Sequence, residues 1–258
     1  MTTLSFAARD SVTMTRRNLR HAQRYPGMTI ATMGTPIIML LLFVGVFGGA
    51  LGAGISGGGD YIDYIAPGII LMGVTSGCMV TSVSVCTDMT EGIVARFRTM
   101  PISRTSLLTG HVVGSIIQTM VSTALVAAVA VLMGFRPDAS AVEWLVAFAL
   151  LSLLSLALTW LAVGLGLMAK TPEGASNSPI LLQFLPFIGS AVVPPESMPA
   201  GVRWFAEYQP FTSLNETIRG LLMGTPIGSH AVISLAWCAV IGVGGYLWSK
   251  RLFKREMA

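Results

Sequence analysis

The stretch Asp88-Met89-Thr90-Glu91-Gly92-Ile93-Val94-Ala95-Arg96-Phe97-Arg98-Thr99-Met100-Pro101-Ile102-Ser103-Arg104 decides how the rest of the chain is read. It is a charged island between two long apolar runs, with two acids at its start and three arginines towards its end. That order suits a short helix, because the helix dipole favours anions at the N-terminus and cations at the C-terminus. Phe97, Met100 and Pro101 are interleaved with the charges. A connection that only has to be solvated between two membrane spans has no use for them. The island therefore reads as a docking helix, 88–104, for a soluble partner.

Composition supports membrane spans on either side of it. Of 258 residues, 53% are hydrophobic and 11% charged, whereas about a quarter are charged in soluble domains. Mean hydropathy is +0.72. A helix needs ~20 apolar residues to cross ~30 Å of hydrocarbon. Closed strand barrels use segments of about ten residues with alternating polarity. The runs here are longer and continuously apolar, so the fold class is an all-α membrane protein, one transmembrane domain over 1–258.

Residues 5–25 are predicted to form an amphipathic interface helix. Ala8, Val12, Leu19 and Ala22 recur at helical spacing, with Arg9, Arg16, Arg17, Arg20 and Arg24 mostly off that face. A basic amphipathic helix lies in the membrane interface, and its arginines fit lipid head groups or a partner. Full spans are expected at about 28–48, with a kink at Pro36, then 65–86, 106–133, 142–168 and 229–249. A Gly-rich loop follows the first, and Ser103 is a candidate N-cap for the third.

The apolar run at about 179–193 is different. At ~1.5 Å per residue it covers only ~22 Å, a short fifth span. Ser178-Pro179 before it resembles an N-cap with proline at N1. Pro194, Pro195, Pro199 and Pro210 then interrupt the chain. Residues 194–223 read as an outer re-entrant helical region, because irregular backbone at membrane depth needs protein or a watery cavity beside it. That makes six spans.

Counting lysine and arginine orients them. With the N-terminus cytoplasmic, that side carries 13 basic residues and the other only Arg136, Arg203 and Arg219. Both termini and the island are then cytoplasmic under the positive-inside rule. Basic residues gathered at span ends also account for the net charge of +4 without a nucleic-acid partner. Residues 1–27 lack the compact apolar core of a secretory signal, so none is expected. Cys78, Cys86 and Cys238 fall inside the spans without metal-ligand spacing and read as packing residues.

Two cofactor patterns fail on context. Gly52-Ala53-Gly54-Ile55-Ser56-Gly57 fits a dinucleotide fingerprint but follows a membrane helix instead of a strand. Gly164-Leu165-Gly166-Leu167-Met168-Ala169-Lys170-Thr171 approximates a phosphate-binding loop, with alanine where its second glycine belongs. No cofactor is expected in this chain. No ionisable residue is expected near mid-membrane, where a proton relay or ion-coupling site would sit. His111 and Glu143 lie near span ends. The polar inventory is too thin for an enzyme, and Gln118 and Gln183 suit hydrogen bonds between helices. Gly45/Gly49, Gly73/Gly77 and Gly110/Gly114 have the spacing of closely packed membrane helices. Met39, Phe43, Met72, Met79, Phe184 and Phe187 fit a greasy substrate path, and equally fit helix packing or lipid contact. Phe184 and Phe187 lie on the short fifth run, and a broken helix often borders a cavity.

The layout resembles the type-2 ABC exporter permeases, in particular the daunorubicin-resistance branch. The most specific match is the island, with Glu91-Gly92, Arg96-Phe97-Arg98 and Met100-Pro101. Val193-Pro194-Pro195, Gln209-Pro210-Phe211 and Glu216-Thr217-Ile218-Arg219 resemble the outer region of that family. The resemblance implies a permease subunit with no catalytic site of its own, paired with a second copy of itself as a homodimer or with a paralogue. Two copies of a separate ATPase would hold ATP and Mg. Asp88, Glu91, Gly92, Arg96, Phe97, Arg98, Met100 and Pro101 would dock that ATPase. The interface helix, through Arg16, Arg17, Arg20 and Arg24, would touch the same subunit. A lipophilic drug, antibiotic or lipid would move outward. The rival readings are an ion-coupled secondary transporter and a non-transporting anchor or sensor.

Overall fold

The computed structural model describes residues 26–55, 60–91 and 104–256, and every regular element among them is helical. The interface helix expected at 5–25 and island residues 92–103 lie outside the described residues. The stretch expected to hold the first span comes in three pieces. Helix α1 (Pro26–Leu41) runs through a π-turn (Leu42–Val46) into α2 (Gly48–Ile55). Pro36 lies within α1, but the irregularity falls later. There the Phe47 N–H reaches back five residues to the Leu42 carbonyl at 3.2 Å. The Gly-rich stretch expected to be a loop is helical through Ile55. Glycine costs a helix about 1 kcal/mol, whereas an unsatisfied peptide group in hydrocarbon costs on the order of several.

Helix α3 (Tyr61–Thr90) is 30 residues long and overruns the expected second span at both ends. Helices α4 (Arg104–Leu132) and α5 (Ala141–Met168) match the third and fourth spans closely. A capping box starts α5: the Ser140 N–H donates to Glu143 Oε2 at 2.6 Å, and Ser140 Oγ accepts from the Glu143 N–H. The turn before it is tied to α3, because the Arg136 N–H donates to Asp63 Oδ1 at 3.2 Å.

The region expected to hold the fifth span is where structure and expectation part. Between the expected fourth and fifth spans a short helix, α6 (Pro172–Asn177), forms, with Thr171 as N-cap and Pro172 at N1. The cap-then-proline signal is thus used one motif upstream, and Ser178 instead closes α6 by donating to the Gly174 carbonyl at 2.9 Å. No continuous helix covers 179–193. Helix α7 (Ile180–Phe184) tightens into a 3-10 turn (Leu185–Ile188) and stops at Gly189, whose backbone is extended. Pro186 can supply no N–H to prolong the helix. A 3-10 turn (Pro195–Ser197), α8 (Ala200–Tyr208) and α9 (Pro210–Met223) follow, then α10 (His230–Glu256). Among the described residues, four helices are long and apolar enough to cross a membrane unaided: α3, α5 and the apolar parts of α4 and α10.

Helix α3 is the hub, touching α1, α4, α5, α6 and α9, while α5 packs along α10. Within their apolar stretches 72% of α3 is buried against 17% of α10, so α10 presents most of its surface outward. Lipid tails are as apolar as leucine, so helices in a bilayer are held by close packing and not by escape from water. Small residues make that contact. A side chain at Gly166 of α5 would begin 2.5 Å from the Ser82 carbonyl oxygen of α3, and one at Gly77 of α3 would strike Thr119 of α4. Gly166 belongs to the stretch that imitates a phosphate-binding loop. Its glycine serves helix packing.

Candidate functional site

Breaking a helix inside a bundle leaves carbonyl groups without partners, and these need donors. Here they come from α3 and from the α8–α9 hairpin. The Ser190 carbonyl oxygen accepts from Arg219 Nη2 at 2.7 Å, Asn215 Nδ2 at 2.9 Å and the Tyr64 hydroxyl at 3.1 Å. The Tyr61 hydroxyl donates to the Val192 carbonyl at 3.2 Å, and Gln209 Nε2 to the Leu185 carbonyl at 3.0 Å. Thr212 Oγ1 closes the hairpin on the Ala206 carbonyl.

Arg219 is the centre of this tether. It is 7% exposed. Its guanidinium pairs with Glu216 Oε1 at 2.5 Å, donates to the Tyr64 carbonyl at 3.2 Å and lies 3.9 Å from the centre of the Tyr64 ring. A planar fork with several donors is suited to serve all of these at once, which an ammonium is not. A charge so deeply placed is tolerable only when paired and hydrogen-bonded. The Pro210 start of α9 and the helical spacing of Asn215, Glu216 and Arg219 put these groups within reach of one another. In the sequence Arg219 registers as a basic residue on the outer side and as the end of the family-like stretch Glu216-Thr217-Ile218-Arg219. Its folding partners lie 29 and 155 positions away, so local pattern carries no sign of them.

Three of the residues predicted for a substrate path do come together. The rings of Phe43 and Phe187 are 6.1 Å apart, as are those of Phe187 and Phe184, and Phe47 joins the row 5.9 Å from Phe43. The row connects the π-turn of the first crossing to the broken fifth run. Two backbone irregularities therefore face each other, and π-turns in helices are frequent at functional sites. Met39 packs half-buried against the same core. Met72 is fully buried in α3 and cannot line an open path in this conformation. Met79 is exposed, two turns further along α3 and apart from the row.

Of the island, Asp88 and Glu91 are described. Asp88 lies in the last turns of α3, and Glu91 is its C-cap, with its N–H on the Thr87 carbonyl at 2.9 Å. Both acids thus stand at a helix C-terminus and not at the start of a separate helix. Gly92, Arg96, Phe97, Arg98, Met100 and Pro101 lie outside the described residues, as do Arg16, Arg17, Arg20 and Arg24. The end of the bundle that carries Asp88 is well braced. Cys86 Sγ donates to the Ala169 carbonyl at 3.4 Å, and Val85, Leu167 and Phe253 share an apolar cluster there. The basic end of α10, Lys250 to Arg255, is on that side too. Among the described residues no group of acids, histidines and cysteines could hold a metal.

A central span, a helical break tethered by a buried arginine and further apolar helices define a multi-pass helical membrane protein. The profile of the ABC-2 type transporter family matches residues 10–223, and the chain belongs to that family. It is 29% identical over 218 residues to the daunorubicin resistance ABC transporter permease protein DrrB1 of Streptomyces coeruleorubidus, covering 83% of this chain and 76% of that protein. It is 24% identical over 179 residues to the probable doxorubicin resistance ABC transporter permease protein DrrC of Mycobacterium tuberculosis, covering 69% of this chain and 65% of that one.

Proposed function

We propose that this chain is the permease subunit of an ATP-driven exporter that moves a lipophilic substrate outward across the bacterial plasma membrane. The observation that carries this is the family match over residues 10–223, which takes in both the island and the tethered break. The permease relatives are named for resistance to daunorubicin and doxorubicin, which supports efflux of a lipophilic drug, antibiotic or lipid. Two copies of the chain form the working unit, with both termini and the Asp88 end of the bundle cytoplasmic. Two ATPase subunits, holding ATP and Mg, dock on the 88–104 island and on the interface helix at 5–25. ATP-driven closure of those subunits reorients the permease halves. The chain itself contributes no catalysis.

The geometry fits mechanical coupling. Helix α3 is one continuous helix from the tether at Tyr64 to the island at Glu91, with Pro67 one turn beyond the tether, so a single element joins the two ends. The row Phe43, Phe187 and Phe184, with Met39, is the apolar surface along which a greasy substrate passes. Co-purification from the native membrane tests the reading: a stoichiometric soluble ATPase should accompany the chain, and transport in proteoliposomes should require it. Transport by the lone chain, driven by an ion gradient, would favour a secondary transporter instead. A different soluble companion would favour an anchor or sensor.

A further inference from the structure

A small cleft between α1, α3 and α4 has a chemistry that the apolar path lacks. Its walls carry Thr81 from α3 and Ser115, Gln118, Thr119 and Ser122 from α4, with Gly77 as the floor. The cleft has a volume of about 10 Å³, and a single water-sized group needs ~10–15 Å³. Gly77 lets α4 approach α3 closely beside it, since a side chain there would collide with Thr119.

Ser122 is the telling residue. It is 3% exposed, and its hydroxyl has no hydrogen-bond partner. Thr75, Ser76 and Thr81 on α3 each donate to a carbonyl of their own helix at 2.9, 2.9 and 3.0 Å. Although the buried hydroxyls of Ser82, Thr123 and Ser155 also lack a partner, Ser122 is the one of the four that lines the cleft. A buried hydroxyl left unpaired is costly and marks a place for a partner. No lining residue is ionisable, so a charged group entering the cleft would be buried without a counter-charge.

We propose that this cleft receives one neutral hydrogen-bonding group, a hydroxyl or carbonyl, of an otherwise apolar substrate. The inference rests on the transport reading and adds one feature of the substrate to it, a neutral hydroxyl or carbonyl oxygen that enters the cleft. Ser122 binds the oxygen, and Thr119 and Ser115 complete its surroundings. Pure hydrocarbon reaches the aromatic row but leaves Ser122 unpaired.

The test uses the full chain in lipid nanodiscs, with 4-(1-pyrenyl)butan-1-ol and 1-butylpyrene as probes that differ by one hydroxyl. Energy transfer from tryptophan to pyrene reads binding, with empty nanodiscs as baseline. The wild type should bind the alcohol about tenfold tighter than the hydrocarbon, the value of one hydrogen bond that satisfies a buried group. Ser122→Ala should abolish that preference and leave butylpyrene binding unchanged, while Ser122→Thr retains it. The protonated amine 4-(1-pyrenyl)butan-1-amine should bind more weakly than the alcohol. Equal binding of alcohol and hydrocarbon by the wild type means that the cleft holds water only, and overturns the proposal without needing any variant. An unchanged preference in Ser122→Ala, or an amine that binds better than the alcohol, overturns it as well. ATPase co-purification is read separately. Its failure alongside an intact alcohol preference removes ATP coupling and leaves the cleft standing.

Discussion

The guanidinium of Arg219 donates to the carbonyl oxygen of Ser190 at 2.7 Å, joining α9 of the α8–α9 hairpin to the break in the fifth apolar run. The same oxygen also accepts from Asn215 and Tyr64. One peptide group thus gathers three elements of the bundle. The tether explains how a non-helical stretch persists among membrane helices: each carbonyl that the break exposes at Leu185, Ser190 and Val192 has a side-chain donor.

Removing the arginine should be expensive. Arg219→Met leaves the Glu216 carboxylate, whose side chain is 28% exposed, without its partner and takes a donor from both the Ser190 and Tyr64 carbonyls, a loss of about 1–3 kcal/mol. Arg219→Lys keeps the charge but not the fork, and should fall in between. Thermal unfolding in detergent checks the order. A Met variant that melts with the wild type would show that the tether is not structural.

Close helix contact makes a second, sharper contrast. Gly166→Val forces α5 away from the Ser82 carbonyl and should cost about 1–3 kcal/mol, the usual range for overpacking. Gly49→Ala, in open space within α2, should not destabilise and should gain up to about 1 kcal/mol from helix propensity. Equal effects at the two sites would mean that the α3–α5 contact is looser than described.

The ring contact between Phe43 and Phe187 should appear as coupling. A double-mutant cycle with Phe43→Ala and Phe187→Ala is expected to give ~0.5–1.5 kcal/mol of interaction energy, typical of an aromatic pair. Each single variant should also lower transport of a lipophilic dye in proteoliposomes with the ATPase. Strict additivity in stability would remove the contact.

Docking on the island is tested by charge reversal and truncation. Glu91→Lys, Arg98→Glu and Phe97→Ala should each reduce ATPase co-purification at least several-fold, in the manner of interface anchors, with unfolding temperatures unchanged. Full assembly in all three variants would rule out the island as the docking element.

Topology can be read by labelling. Single cysteines at Gly57 and Pro199, in a background lacking Cys78, Cys86 and Cys238, should react with an impermeant maleimide applied from outside intact cells. A cysteine at Ser103 should react only after permeabilisation. The opposite pattern would invert the bundle and place the island on the wrong side for an ATPase.

Helix content and the four unaided spans were legible in the chain because apolar length is a local property, summed over neighbours and almost independent of what packs where. Turn chemistry was legible to within one motif. Thr171-Pro172 and Ser178-Pro179 carry the same cap-and-proline signal, and only the folded chain shows that the first opens a helix while Ser178 closes one. The row of Phe43, Phe184 and Phe187 was anticipated by residue type. Phe47 was missed, and Met72 proved to be core, because residue type does not say which face of a helix is covered.

By itself, then, the sequence determined an all-helical membrane protein of a recognisable family, with a charged island at the end of its second crossing. Those features follow from the bilayer, which demands apolar length and internal hydrogen bonding from every segment that enters it. Tertiary structure alone decided that α3 is the hub, that the fifth run breaks at Gly189, and that Arg219 holds the break. It also decided that Ser122 is left without a partner. These outcomes depend on groups as many as 155 positions apart, and a hydrogen bond at such separation exists only once packing has brought its two ends together.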